Sequence, residues 1–461
     1  MTGPETVDTG DSTTAAVVED DRGNAGLAAA ASTAPVEGGI ADYVRNYVQR
    51  LRGGDMGSLP AVSGLVLLVI LFSILQSSFR SLYNIGNMLT EGAGPILIAM
   101  GLVFVLLLGE IDLSAGYAAG VCAFVMVRLM VGYSQGWAVT ILAALAAGIV
   151  IGFLIGWLRA KIRIPSFVVT LAFFLAFQGV ALLIADSGPG PTGNVTITDH
   201  VILDFANSQM PLWSGWVLGA LVVAAYAYTK ISAQTGRRRQ GLVGEPMSVM
   251  MFKIVALAVV SFGLVLALSQ NRALHQNPTI SANAQGKFVK VYPPAVEGVP
   301  WVVPVLVVLF VIWTFVLSRT RYGRHIYAVG GNEEAARRAG IPVDKIRISV
   351  FVICSFMAAI GGIEIGSNVA AVSVANYGGN TLLLAVGAAV IGGTSLFGGK
   401  GRVLDALIGG AVVEVIYNGM ADLVQGNNGS AIQYIVTGVV LLLAAAVDAL
   451  SRRRAGSSGL A

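Results

Sequence analysis

The feature that most constrains this chain is a series of long apolar segments separated by short polar connections. Each segment is close to the roughly 20 residues that a helix needs to cross about 30 Å of hydrocarbon. Hydrophobic residues make up 55% of the sequence and charged residues only 12%, whereas about a quarter of an ordinary soluble domain is charged. We therefore expect an all-α polytopic integral membrane protein with about 10–12 transmembrane helices. The apolar segments are 60–76, 93–109, 114–132, 137–158, 166–185, 213–229, 251–269, 300–318, 347–366, 382–398, 403–424 and 431–449.

Across the second half of the chain, positive charges alternate between successive connections, as the positive-inside rule requires. The main exceptions are Arg272, Lys287 and Lys290 in the long connection 270–299. The alternation predicts a multi-pass protein of the bacterial cytoplasmic (inner) membrane with both termini in the cytoplasm. Lys and Arg occur in 159–163, 230–240, 319–347, 400–402 and 451–454, and neither occurs in 184–212, 366–381 or 425–430.

The two ends of the chain differ in composition from its apolar centre. Residues 1–38 contain almost no large apolar side chains, which predicts a disordered cytoplasmic tail. Residues 39–58 combine an apolar stripe at helical spacing with several arginines, a pattern typical of an amphipathic helix on anionic membrane lipids. The transmembrane domain then covers 59–451, and 452–461 form a basic cytoplasmic C-terminus.

Two apolar segments look interrupted. Gly392 to Ser395 follow barely ten apolar residues, which favours a broken helix whose freed backbone groups meet a neighbouring helix or a cavity. A re-entrant hairpin is the alternative, and it would place the basic C-terminus outside. Glu110 and Asp112 occupy a short connection between two apolar segments, which indicates a second interruption.

A short charged helix is predicted at 332–340, between two apolar segments. Asn332 is a good N-cap, and Gly340 with the following proline ends the helix. Acidic residues fill its first turn and basic residues its last, at the favourable i, i+4 spacing. From these residues alone, a solvated connector and a rigid docking element for a partner protein are both open. The residues of this segment singled out as candidates are Asn332, Glu333, Glu334, Ala335, Arg337, Arg338 and Gly340.

Several stretches resemble the permease subunits of bacterial ABC importers for monosaccharides, of the ribose and xylose type. They are GEIDLSAG at 109–116, PSFVVTLAFFLAFQG at 165–179, the run from Gly323 through GGNEEAARRAGIPVDKIR to Gly362, and VIGGTSLFGGKGRV with IYNGM. The similarity covers about 60–452, and the connection GRRRQGLVGEP is closer to the xylose members.

The resemblance implies a set of partners. It implies a second permease copy, a nucleotide-binding ATPase subunit and an extracytoplasmic sugar-binding protein, and it makes 332–340 the coupling helix that contacts the ATPase. The chain itself has no GxxxxGK[ST] phosphate loop, so ATP and Mg²⁺ are expected on the partner and no cofactor on this chain.

Polar side chains inside apolar segments are candidates for a translocation path, because such residues usually face a cavity or a partner. Hydrogen bonding between helices, and capping by Asp112, are the structural alternatives. Relatives often have an Arg at the Asn368 position and an apolar or small residue at the Glu414 position. The candidates are Glu110, Asp112, Glu364, Asn368, Thr394, Ser395, Glu414, Asn418 and Asp422.

The preferred function is ATP-driven import of a monosaccharide, with D-xylose or a similar sugar as cargo. Import of branched-chain amino acids or nucleosides is an alternative of the same class, and a proton-coupled secondary transporter is one of another class. Catalytic or metal-ligand spacing of Ser, His, Cys or carboxylates does not occur, so an enzyme is not expected. The basic residues lie in short clusters beside apolar segments, which argues against nucleic acid as a partner.

Overall fold

The structure is a computed structural model that describes most of the apolar centre of the chain. It covers residues 45, 58–187, 193–240, 245–275, 279–282, 288–291, 295–423, 431–440, 442–443 and 446. The predicted tail at 1–38, most of the amphipathic helix at 39–58 and the C-terminus at 452–461 lie outside the described residues.

The described chain is almost entirely helical, as predicted. Four short strands form two antiparallel pairs: β1 (Asn194–Thr196) with β4 (Ala371–Ser373), and β2 (Thr279–Ala282) with β3 (Phe288–Val291). The helices are α1 Leu59–Leu75, α2 Leu82–Glu91, α3 Ala93–Leu107, α4 Ala115–Val127, α5 Trp137–Trp157, α6 Ser166–Asp186, α7 His200–Asn207, α8 Leu212–Arg239, α9 Met247–Leu268, α10 Val302–Arg319, α11 Arg321–Gly331, α12 Glu333–Arg338, α13 Val343–Val369, α14 Gly379–Ile391, α15 Val403–Leu423 and α16 Ala431–Val440.

Ten helices of the described chain are long and apolar enough to cross a membrane, and α1 and α16 are shorter apolar helices. Each of the twelve predicted segments therefore has a helix. The largest difference is at 93–109, where the span begins at Leu82 because α2 leads almost directly into α3. Another difference is α11, an amphipathic helix that the periodicity of the short segment 321–331 did not reveal.

The described residues fall into two compact units. One contains Val222–Ala258, and in it Glu245 pairs with Lys253 and lies 3.7 Å from Lys230. The other contains Arg50–Leu221 and Val259–Ala461. The site described below lies within this second unit.

Helix α13 is the centre of the second unit, and it packs closely on α5. Gly148, Gly152 and Gly156 lie one helical turn apart on α5 and face α13. A Cβ on Gly148 would lie 2.7 Å from the carbonyl oxygen of Ser355, and one on Gly152 would lie 2.6 Å from the Cα of Val352. Small residues allow this backbone approach, which drives helix association where lipid is as apolar as the side chains.

The interrupted segment, which begins with α14, crosses from one end of this unit to the other. Strand β4, just before it, pairs with β1, whereas the N–H of Gly399 donates to the carbonyl of Leu107 at the opposite end, beside Gly330. The helix itself stops at Ile391, and 392–402 follow as a non-helical connection. This arrangement agrees with a broken span and not with a hairpin that returns to the side it came from.

Arg272, an exception to the predicted charge alternation, is buried. Its Nη2 donates to Gln209 Oε1 at 2.8 Å and to the Gly298 carbonyl at 3.1 Å, and its guanidinium lies against the Cα of Gly86. Arg272 is only 2% exposed and stabilises the connection. Its charge therefore does not indicate on which side of the membrane the connection lies.

Candidate functional site

The predicted capped helix exists as α12. Asn332 Oδ1 accepts a hydrogen bond from the N–H of Ala335 at 2.9 Å. At the other end, Gly340 has a φ of +79° and the N–H of Ile341 donates to the carbonyl of Ala336 at 3.1 Å. This is the Schellman closure, which needs a left-handed residue and so favours glycine. The predicted cap and stop are confirmed.

Helix α12 turns nearly all of its surface outward. Ala336 is buried, whereas the other residues from 332 to 340 are exposed. Arg337 Nη2 lies 3.0 Å from Glu333 Oε1, and Arg338 Nε lies 3.2 Å from Glu334 Oε1, which confirms both i, i+4 pairs. Exposed pairs of this kind contribute about 0.3–0.5 kcal/mol each, so they do not hold so short a helix in place.

An ionic chain joins α12 to the core of the unit. The Nη2 of Arg347, in the first turns of α13, lies 2.8 Å from Glu333 Oε2, and its Nε lies 2.8 Å from Glu110 Oε1. Glu110 also meets Arg159, at 2.8 Å from Nη2 and 2.9 Å from Nε. We call Glu333, Arg347, Glu110 and Arg159 the ionic chain. It connects α12, α13, the connection between α3 and α4, and the turn that follows α5.

The charge of Glu333 depends on this chain. Partial burial alone would raise the pKa of Glu333, but hydrogen bonds and charge from Arg347, with a further contribution from Arg337, outweigh it and lower the pKa below its ordinary value. Glu333 is therefore a carboxylate at neutral pH.

Three connections meet beside the ionic chain. The Cα of Gly330 lies against the carbonyl oxygen of Leu107, and the N–H of Gly399 donates to that same oxygen at 2.9 Å. Gly109 has a φ of +70°, and a Cβ on it would lie 3.3 Å from the carbonyl oxygen of Phe397. The connection 392–402 thus packs on the residues that enter α12 and on those that carry Glu110.

Thr394 and Ser395, candidates for the translocation path, stabilise that connection. Thr394 Oγ1 lies 3.3 Å from Asp405 Oδ2, and the same oxygen accepts the N–H of Arg402 at 2.8 Å. The N–H of Ser395 donates to the carbonyl of Lys400 at 2.9 Å. Both side chains are buried, and these bonds shape the turn between α14 and α15.

Asp112 has a local structural role. Its Oδ1 accepts hydrogen bonds from the N–H and the Oγ of Ser114, at 2.9 and 2.6 Å. Ser114 is the residue before the first turn of α4. The capping of this helix by Asp112 that the sequence suggested does not occur, because Ser114 occupies the cap position and no side chain caps α4.

Glu364 and Glu414 approach one joint from two helices. A Cβ on Gly94 would collide with Glu364 Oε2, and a Cβ on Gly92 would lie 3.1 Å from Glu414 Cγ. The joint is the point where α2 gives way to α3. Neither carboxylate oxygen of Glu364, which is fully buried, has a hydrogen-bond partner in the described part of the chain, and the same holds for Oε1 of Glu414.

The remaining path candidates behave differently. Asn418 pairs with Asn84 of α2, so it joins two helices. Asn368 is half-buried near the end of α13, and the side chain of Asp422 lies outside the described residues. The path candidates whose side chains the structure describes therefore divide among several places.

Sequence reasoning missed Arg347 and Arg159 as site residues. Both stood at the edge of apolar segments and were interpreted only as markers of topology. Their pairing with Glu110 joins residues 49 and 237 positions apart, a separation that no local spacing reveals. Asp405 was missed as well, although its partners Arg402 and Thr394 are only 3 and 11 positions away. Within the described residues, no three His, Cys, Asp or Glu side chains lie together in a way that could hold a metal ion.

Comparison with known proteins places the chain in a family. The chain is similar to the xylose transport system permease protein XylH of Escherichia coli K12, with 31% identity over 396 residues, 85% of this chain and 92% of that protein. The XylH of Haemophilus influenzae is 30% identical over 82% of this chain and 92% of its own length. The ribose import permease protein RbsC of Escherichia coli K12 is 29% identical over 83% of this chain and 91% of its own length.

No solved structure matches the chain. A family described as "Branched-chain amino acid transport system / permease component" matches residues 84–245 and 201–445. The residues from Glu110 to Asn418, which include the whole ionic chain and α12, fall inside these ranges. The chain belongs to this family of transport-system permeases.

Proposed function

We propose that this chain is the membrane-spanning permease of an ABC importer that carries a monosaccharide, D-xylose or a similar sugar, across the cytoplasmic membrane. The observation that carries this proposal is the similarity over most of the chain to the xylose and ribose permeases. The ten apolar helices support a multi-pass protein of the inner membrane. Both termini are proposed to lie in the cytoplasm, on the same side as α12.

The energy source in this proposal is a separate ATPase subunit, which binds ATP and Mg²⁺. The proposed contact is the coupling helix, 332–340, and the support for it is the outward exposure of every residue there except Ala336. A six-residue helix is marginal in water by itself. Contacts with a partner surface and with the ionic chain explain why α12 is helical better than a role as a solvated connector does.

Two further partners belong to the proposal. An extracytoplasmic sugar-binding protein delivers the cargo to the end of the unit that carries β1 and β4, opposite α12. A second copy of the permease completes the path in the membrane, and membrane lipids surround the pair. Within the path, Glu364 and Glu414 remain the strongest candidates for contact with sugar hydroxyls, because both oxygens of Glu364 and Oε1 of Glu414 lack partners in the described residues.

One observation favours a second candidate. The matching family is described by transport of branched-chain amino acids, so an amino acid remains an alternative cargo, with nucleosides behind it. The xylose and ribose relatives favour a sugar. A proton-coupled transporter needs no ATPase, so uptake measured without the ATPase distinguishes it from an ABC importer.

The experiment is uptake into proteoliposomes that hold the permease with the ATPase and binding protein of its own importer. We expect labelled D-xylose to accumulate only when ATP is present on the side of the membrane that carries the ATPase and the binding protein is present on the other side. Competition with unlabelled ribose, leucine and adenosine ranks the alternative cargoes. Accumulation by the permease alone under a proton gradient would overturn the proposal.

A further inference from the structure

The ionic chain has an unusual arrangement for a purely structural ion pair. Arg347 and Glu110 are only 5% and 6% exposed at their side chains, whereas Glu333, at the end of the chain, is 44% exposed. The chain therefore runs from a surface helix to a buried connection. Arg347 bridges two carboxylates, and Glu110 bridges two guanidinium groups.

Arg347 is the only residue of the ionic chain that contacts both Glu333, at the exposed end, and Glu110, in the buried part. Its Nη2 contacts Glu333 of α12, and its Nε contacts Glu110 at 2.8 Å in a direction that is not that of a hydrogen bond. A guanidinium can do this because its positive charge is spread over a planar fork of nitrogens, whereas the charge of lysine is confined to one ammonium group.

Stability alone is a weak reason for such a chain. Buried ion pairs lose much of their attraction to desolvation, and apolar residues of similar volume often replace them without loss. The ionic chain instead fixes the position of α12. Only Ala336 of α12 is buried, so the ionic contact of Glu333 is the main polar attachment of this helix to the core.

The buried end of the chain is also placed to move a transmembrane element. Glu110 lies in the connection between α3 and α4, four residues before Ser114. Arg159, in the turn that follows α5, contacts both of its oxygens. A displacement of α12 that reaches Glu110 therefore acts on the ends of α3, α4 and α5 together.

We infer that Arg347 and Glu110 are positioning residues that transmit the displacement of α12 to the connection between α3 and α4, so that ATP hydrolysis on the partner drives transport through them. This inference rests on the proposed function. The ionic chain is then a second route by which the displacement of α12 is transmitted, beside the backbone that leads from α12 into α13.

The test uses Arg347→Met and Glu110→Gln, which remove charge at nearly constant length, in the complete importer in proteoliposomes with labelled D-xylose. Lys345→Met is the matched control, because Lys345 lies exposed on the same helix, two residues from Arg347, and forms no ion pair with the described residues. Uptake and ATP hydrolysis are measured on the same vesicles, with the amount of assembled complex and its thermal midpoint.

We expect both variants to hydrolyse ATP within about twofold of the wild type and to carry at least tenfold fewer sugars per ATP, whereas Lys345→Met keeps the normal ratio. Arg347→Lys should recover only part of the ratio. The double variant Glu333→Gln/Glu110→Gln should be no worse than Glu110→Gln, because both act on one path.

An unchanged ratio of sugar to ATP in either assembled variant overturns the inference. So does a loss of uptake that follows the amount of assembled complex or the thermal midpoint, because that result assigns the chain a structural role only. If the wild-type importer itself shows no ATP-dependent uptake, the proposed function fails first and the inference falls with it.

Discussion

Asn84 and Asn418 exchange two side-chain hydrogen bonds, from Asn84 Nδ2 to Asn418 Oδ1 at 2.6 Å and from Asn418 Nδ2 to Asn84 Oδ1 at 2.9 Å. The two residues lie on α2 and α15, 334 positions apart. Each amide thus satisfies a group that lipid would leave without a partner. This reciprocal pair supports hydrogen bonding between helices, the structural alternative, for Asn418.

Replacing one partner of this pair should destabilise the protein. Asn418→Leu leaves Asn84 Oδ1 without its donor and Asn84 Nδ2 with only the carbonyl of Phe79 as acceptor, and we expect a loss of about 1–2 kcal/mol in the free energy of unfolding in detergent micelles. The double variant Asn84→Leu/Asn418→Leu should recover most of that loss, because neither polar group remains. A double variant that is less stable than either single variant would contradict the pairing as the source of the effect.

Charge reversal on the outer face of α12 should weaken attachment of the ATPase. Glu334→Arg alters a side chain that is 66% exposed and pairs only with Arg338 in the described structure, so the ionic chain stays intact. We expect at least tenfold less ATPase to co-purify with the permease. Asp186→Arg, an exposed charge reversal at the end of α6, is the control and should leave co-purification unchanged. Equal loss in both variants would count against α12 as the contact.

The two carboxylates at the α2–α3 joint should serve transport more than stability. Glu364→Gln replaces a fully buried carboxyl group, whose oxygens lack partners in the described residues, by an amide that cannot ionise, and burial of an ionisable group without partners opposes folding. We expect an equal or higher thermal midpoint together with slower uptake. The same result is expected for Glu414→Gln. If expression and uptake fall in parallel, the two carboxyl groups are structural.

The close contact of α5 with α13 makes a further prediction about glycine. Gly152→Ala places a methyl group within 2.6 Å of the Cα of Val352, so the helices must separate and lose packing. We expect a lower thermal midpoint and a loss of about 1–3 kcal/mol. Gly179→Ala on α6 is the control, because no atom lies within 4 Å of the position that its Cβ would take. Similar midpoints for the two variants would mean that α5 does not depend on this approach.

Sequence reasoning reached the parts of this molecule that depend on local pattern. Apolar length predicted every spanning helix, and the Asn332 cap and the Gly340 stop defined α12, because both rest on residues within a few positions of one another. The ionic chain and the Asn84–Asn418 pair were out of reach, since their partners are tens to hundreds of positions apart. The kink between α2 and α3 was missed because polar residues in α2 interrupt the apolar pattern.

Acidification should loosen α12 through Glu333. The pKa of this carboxyl is lower in the folded protein than its ordinary value, because hydrogen bonds from Arg347 and Arg337 outweigh the effect of burial. A group whose folded pKa is depressed stabilises the fold fully above its unfolded pKa, near 4.3, and loses that contribution as the pH falls through the folded value. We therefore expect α12 to stay attached from neutral pH down to about pH 5 and to detach progressively below about pH 4.

Spin-label mobility at Glu334→Cys measures this detachment in the purified protein. The mobility should rise below about pH 4 and return when the pH is restored. In a Glu333→Gln background, the label should show the same mobility at every pH, because the titrating group is gone. A rise in mobility at the same pH in that background would assign the change to another carboxyl group and would remove Glu333 from the attachment of α12.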